Sequence, residues 1–179
     1  QYCIRGVLNS VESGVAYILP VVEGSALLEE FKLADTKDLR TRTQAILDRI
    51  TQYQHVSGGF GYWPDALPDA YVTAYTLDVC ERARQAGFTV PTASLKKAAN
   101  WLENAFNKNQ LHAYTYSTYE SDITHAYAVY VLMTYGKHMT ASFNTLYAKR
   151  NSLSVPALAY MLKAAHQSKR SDAFKQALA

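Results

Sequence analysis

The sequence predicts an all-α domain built of antiparallel helical hairpins, and three observations carry that prediction. Apolar residues recur at helical spacing through seven or eight segments. No segment reads convincingly as a strand. The connections are short, which makes consecutive helices antiparallel neighbours. The chain has 179 residues, 49% of them hydrophobic and 18% charged, enough for one domain with a proper core.

The first predicted helix covers 10–31, with Val11, Val15, Ile18, Leu19, Val22, Ala26 and Leu27 on one face. Pro20 and Gly24 lie inside it and predict a kink or a break. Asp35 or Thr36 caps a second helix that runs to about Tyr53, with Leu39, Thr43, Ile46, Leu47 and Ile50 as its inner stripe. A glycine-aromatic loop follows over 54–68. Asp69 then caps a helix over 70–86 that buries Tyr71, Ala74, Tyr75, Leu77, Val79 and Cys80 and stops at Gly87.

Thr92 caps the next helix, whose stripe is Leu95, Ala98, Ala99, Leu102 and Phe106. The polar, tyrosine-rich stretch 107–120 has no period and reads as a loop. Ser121 or Asp122 opens a helix that closes at Gly136. A short helix spans 142–149. Ser154 caps another, with Pro156 in its first turn, and it ends near His166. A last helix begins at Asp172.

Ala-Tyr pairs recur inside helices at 16–17, 70–71, 74–75, 126–127 and 159–160. A small residue beside a tyrosine lets helices approach while the hydroxyl finds a polar partner. Their irregular spacing excludes a short solenoid repeat. The expected arrangement is α/α, stacked or closed into a complete or partial toroid, with a plain helical bundle as the alternative.

Charge and motifs exclude several function classes. The net charge is +3 and the basic residues are scattered, so no stripe suits nucleic acid. No apolar run reaches the roughly 20 residues of a membrane span. The chain opens on "QYCIRG" without a signal peptide or initiator Met, which reads as one domain over 1–179 taken from a larger protein. Cys3 and Cys80 could form a disulfide, but spacing alone does not pair them. The histidines at 55, 112, 125, 138 and 166 lie far apart, and no pair has the i, i+4 spacing of two metal ligands. No cofactor or metal is expected.

Carboxylates offer one catalytic alternative. Asp65 and Asp69 flank Pro68, and Glu120 and Asp122 precede a helix. Paired carboxylates near aromatic platforms hydrolyse glycosidic bonds. Asp69 and Asp122 are equally explained as helix caps and Asp65 as a turn former.

The stretch "GGFGYWPDALPDAYVTAYTLDVCERARQAGFTVP", 58–91, resembles the thioester-containing domain of alpha-2-macroglobulins, the bacterial branch in particular. The residues that match are Gly58, Gly59, Phe60, Gly61, Trp63, Thr73, Ala74, Tyr75, Ala83, Gly87, Val90 and Pro91. "AYAVYVLMTYGK" and "VPALAYMLKAAHQSKRSDAFKQAL" resemble later hairpins of the same domain. In the loop, the glycines permit conformations closed to other residues. Phe60 and Trp63 are therefore expected to fold back and plug the end of a hairpin, which makes the loop architectural.

The family's chemistry resides in a "GCxEQ" segment, where a cysteine thiol and a glutamine three residues on form an internal thioester. Aligned on Pro20, "LNSVESGVAYILP" falls where that segment would be. Glu12 matches the family glutamate, Ser10 stands at the cysteine and Ser13 at the glutamine. A serine hydroxyl gives an ordinary ester, and Ser13 has no carboxamide to condense. No CxxQ occurs anywhere in the chain.

The resemblance thus implies a non-enzymatic domain of a periplasmic or secreted protease inhibitor, the parent with or without a lipid anchor, whose partners are proteases and the parent's other domains. Trapping would be non-covalent. Two other readings stand beside it: an α/α-toroid enzyme acting on carbohydrate, and a helical scaffold that binds a partner through the tyrosine-rich segment 112–119.

Overall fold

A computed structural model of the chain describes residues 10–32, 35–108, 111 and 118–167, without the side chains at 25, 26, 29 and 118–121. Seven α-helices are present among them. They are α1 (Val11–Glu30), α2 (Thr36–Arg49), α3 (Ala70–Gln85), α4 (Thr92–Asn107), α5 (Thr118–Thr134), α6 (Thr140–Ala148) and α7 (Val155–Gln167). Short 3-10 turns follow α2 (Ile50–Tyr53) and α6 (Arg150–Ser152). The described residues hold no strand, only an isolated antiparallel bridge between Gln54 and Phe60. The expected helix at 172–178, Cys3 and most of the 112–119 segment lie outside the described residues.

Several expected helix ends are the observed ones. The Asp35 carboxylate accepts from the Asp38 amide at 3.1 Å, and that of Asp69 from Val72 at 2.9 Å, so each caps its helix. Gly87 and Gly136 close α3 and α5 with φ of 83° and 76°.

Other ends differ, for identifiable reasons. The helix α1 runs unbroken through Pro20 and Gly24. Pro20 and Ala16, whose carbonyl loses its usual donor, are both exposed, so water can satisfy that carbonyl. Val15, Ile18, Val21 and Val22 are buried on the other face and hold the helix to the core. Thr92 is not a cap: it is the first residue of α4, behind Pro91, and no side chain caps that helix. The helix α5 begins at Thr118, ahead of the expected Ser121 or Asp122. Asp122 lies inside it and pairs with Lys149, just past α6, at 2.5 Å. Tyr71, expected in the core, is 37% exposed.

The helices form two layers. In the inner row α1 packs on α3, α3 on α5, and α5 on α7, the last pair having the most extensive contact. The outer helices α2, α4 and α6 pack on this row, and α4 and α6 each bridge two inner helices. Burial follows the layers. The inner α3 buries ten of its sixteen residues, whereas the outer α2 buries only Thr43, Ile46 and Leu47. This layered alternation is that of an α/α toroid. Small residues permit the α5–α7 approach: Ala126, Ala128, Ala157, Ala164 and Ala165 are all buried.

Candidate functional site

The first turn of α1 meets the glycine-aromatic loop. Ser10 and Ser13 form a reciprocal capping box there. The Ser13 amide donates to Ser10 Oγ at 3.1 Å, and the Ser10 amide donates to Ser13 Oγ at 3.2 Å. The two hydroxyls are 3.0 Å apart and hydrogen-bonded. The next free amide of the helix, that of Val11, donates to the Tyr62 carbonyl at 2.9 Å. This bond fixes the loop against the start of α1, because helix N-termini carry unsatisfied donors.

The loop is itself rigidly held. Phe60 is fully buried, its amide donates to Thr73 Oγ1 at 2.9 Å, and its carbonyl accepts from the Asp69 amide at 3.0 Å. A Cβ on Gly59 would lie 2.5 Å from the Trp101 ring, and one on Gly61 would lie 2.8 Å from the Ala66 carbonyl. Both glycines are therefore demanded by close approach. Trp63, expected to fold back beside Phe60, instead projects outward with 59% exposure. A turn explains the difference. The Ala66 amide donates to the Trp63 carbonyl at 3.1 Å, with Pro64 second and Asp65 third at φ 64°. The loop reverses at Trp63 before its side chain can turn inward. Phe60 alone plugs the hairpin.

A second constellation lies between the inner helices, and sequence reasoning missed it. Tyr71 and Tyr75 of α3, Tyr127 and Tyr130 of α5, and Tyr160 of α7 form a connected layer. Tyr127 stacks on Tyr160 at 4.4 Å and on Tyr130 at 6.4 Å, and it tilts against Tyr71 at 6.0 Å. Beneath the layer sits Asp78, only 8% exposed. Its two oxygens accept from the hydroxyls of Tyr127 at 3.1 Å and Tyr130 at 3.3 Å. Arg82, one turn on, grips both oxygens at 3.0 and 3.1 Å and reaches Glu23 of α1 at 2.6 Å. A groove of about 530 Å³ opens above this network, with Lys163 and His166 on its far wall. The Ala-Tyr pairs located four of these tyrosines, all but Tyr130, which follows Val129. A carboxylate between Leu77 and Val79 in an apolar stripe, with an arginine four residues on, was the signal available for Asp78.

Burial raises the phenol pKa throughout this layer, most strongly at Tyr127, where the Asp78 charge adds to it. Burial also raises the Cys80 thiol to about 12, from an ordinary 9.0. A group raised on folding contributes stability that is complete below its unfolded pKa and lost as the pH climbs through the folded one. Urea midpoints should therefore hold steady up to about pH 9 and fall as the pH approaches 12. In a Cys3→Ser background, Cys80 should resist thiol reagents at neutral pH until the chain unfolds.

The carboxylates of the carbohydrate-enzyme alternative serve separate structural tasks. Asp69 caps α3, Asp122 pairs with Lys149, Asp65 occupies the exposed turn, and the Glu120 side chain lies outside the described residues. Among the described residues, no cluster of three metal-ligating side chains occurs and no helix is long and apolar enough to cross a membrane.

Residues 9–179 match the family model of the A-macroglobulin TED domain. An alpha-2-macroglobulin homolog of Yersinia pestis is 28% identical over 145 residues, which is 80% of this chain. The matched region is only 7% of that relative's length. Solved structures agree in fold. Native alpha-2-macroglobulin from Escherichia coli, spanning domain MG7 to the C-terminus, superposes with a TM-score of 0.77 over 94% of this chain and 28% of that one, at 20% identity. Salmonella alpha-2-macroglobulin reacted with methylamine gives 0.78 over 97% of this chain and 12% of that one, at 21% identity. Escherichia coli alpha-2-macroglobulin activated by porcine elastase gives 0.81 over 95% of this chain and 16% of that one, at 19% identity.

Proposed function

Since this chain belongs to the A-macroglobulin TED-domain family, we propose that it is the corresponding domain of an exported bacterial alpha-2-macroglobulin from which the thioester has been lost. It catalyses no reaction. Its parent holds proteases without a covalent bond, and the partners of this domain are those proteases and the parent's other domains.

The observation that carries this reading is the Ser10–Ser13 capping box. A thioester joins two side chains three residues apart at a helix start. Here the side chains at that spacing meet as two hydroxyls 3.0 Å apart. A hydrogen-bonded pair of this kind stabilises the helix N-terminus by about 1 kcal/mol, yet it holds no acyl carbon for an incoming amine to attack. In this reading Glu12 between them and the aromatic loop against them are what remains of the family's site, and the reactive bond has been lost.

The test uses the full parent protein with trypsin or elastase. The retained protease is expected to cleave a small chromogenic peptide but not a large protein substrate. Denaturing electrophoresis should then release it unmodified. An adduct that survives denaturation, or unimpeded digestion of the large substrate, would overturn the reading.

A further inference from the structure

The rim between α1 and α3 combines exposed aromatic rings with carboxylates that form no ion pair among the described residues. The Tyr62 carbonyl is bonded to the Val11 amide, which places Tyr62 over the first turn of α1, beside Glu12. Asp69 caps α3, and Tyr71 follows two residues later. Tyr62 and Trp63 contact each other with ring centres 5.6 Å apart, and Tyr71 stacks on Tyr75 at 6.1 Å. Trp63, Leu67 and Tyr71 are 59%, 67% and 37% exposed. A largely apolar hollow of about 450 Å³ lies among Tyr62, Trp63, Ala66, Leu67 and Asp69.

We propose that this rim is a docking surface for a lysine or arginine side chain carried on an apolar segment of a partner protein. The inference stands apart from how the parent handles a protease.

Charge complementarity selects that occupant. Neither Glu12 nor Asp69 forms an ion pair among the described residues. The Glu12 and Asp69 charges both act on Tyr62 and Tyr71, adding to burial in raising those phenols, and no basic group among the described residues acts on either. Glu12 lies in the first turn of α1 and Asp69 at the N-cap of α3. Aromatic faces present negative potential, so they attract a cation, and guanidinium stacks on them as well. An acidic segment or a nucleic acid would be repelled. A wholly apolar segment would desolvate Glu12 without giving it a partner, at a cost in free energy. A cation flanked by apolar groups satisfies both the carboxylates and the hollow.

The test is an NMR titration of the isotope-labelled chain with the peptide acetyl-Leu-Lys-Leu-amide, and with acetyl-Leu-norleucine-Leu-amide as the neutral probe. The lysine peptide should shift the Trp63 indole and the Tyr62 and Tyr71 amides saturably. The neutral peptide should bind about two- to fivefold more weakly. Glu12→Gln should weaken the lysine peptide by a similar factor and leave the neutral one unchanged, and added salt should act in the same direction. Trp63→Ala should weaken both. The spectrum of each variant reports whether it remains folded. Equal binding of the two peptides, an unchanged affinity in Glu12→Gln, shifts away from this rim, or no saturable shift would each overturn the proposal.

Discussion

Replacing Asp78 with alanine is expected to destabilise the domain by about 3 kcal/mol, since losing this buried carboxylate leaves hydroxyl and guanidinium donors unpaired, at about 1–3 kcal/mol for each buried one. Asp78 is the acceptor on which three inner helices converge. It takes two hydroxyls from α5 and both arms of Arg82 on α3, and Arg82 in turn holds Glu23 of α1. Removing the carboxylate leaves the Tyr127 hydroxyl buried without its acceptor and the guanidinium without its inner partner. For a domain of this size the loss corresponds to a fall in melting temperature on the order of 10 °C. Thermal or urea unfolding of Asp78→Ala measures it. The double variant Asp78→Ala, Arg82→Leu should be less destabilised than the sum of the two single changes, because it removes the stranded charge as well. Strict additivity would show that Asp78 does not act through Arg82.

Gly59→Ala is the second large effect, at about 1–3 kcal/mol from overpacking. The added methyl would meet two atoms of the Trp101 ring at 2.5 and 2.6 Å and the Pro68 Cβ at 2.7 Å. Neither neighbour can swing away freely. Pro68 is locked in its ring, and Trp101 is packed against the core from α4. The loop would have to lift, which would strain the Phe60–Thr73 bonds and the Tyr62–Val11 bond that dock it on α3 and α1. Gly24→Ala provides the contrast. Nothing lies within 4 Å of the added carbon there, and the position is helical. That change should be stabilising, by up to about 1 kcal/mol, through helix propensity. Urea midpoints of the two variants should thus move in opposite directions. A neutral Gly59→Ala would mean that the loop is not pinned as described.

The chain's helices were legible in its sequence because a helix is specified locally. Apolar spacing marked each helix, Asp35 and Asp69 marked two starts, and Gly87 and Gly136 marked two ends, all through interactions within about four residues. That no cysteine has a glutamine three positions on could also be read directly. The loop's glycines predict unusual backbone conformations, which Gly58 adopts at φ 110°, whereas Gly59 and Gly61 are required by close approach, which no local pattern announces.

Tertiary structure decided the rest. Pro20 does not break α1, because the buried valines and Ile18 anchor both sides of it to the core. Trp63 faces outward because the turn at Pro64–Asp65 reverses the chain first. Asp78 meets Tyr127 and Tyr130 across 49 and 52 residues, and Arg82 meets Glu23 across 59. Such pairs leave only a faint mark on any local pattern, because the free energy that selects them arises only when distant helices bury one another's polar groups.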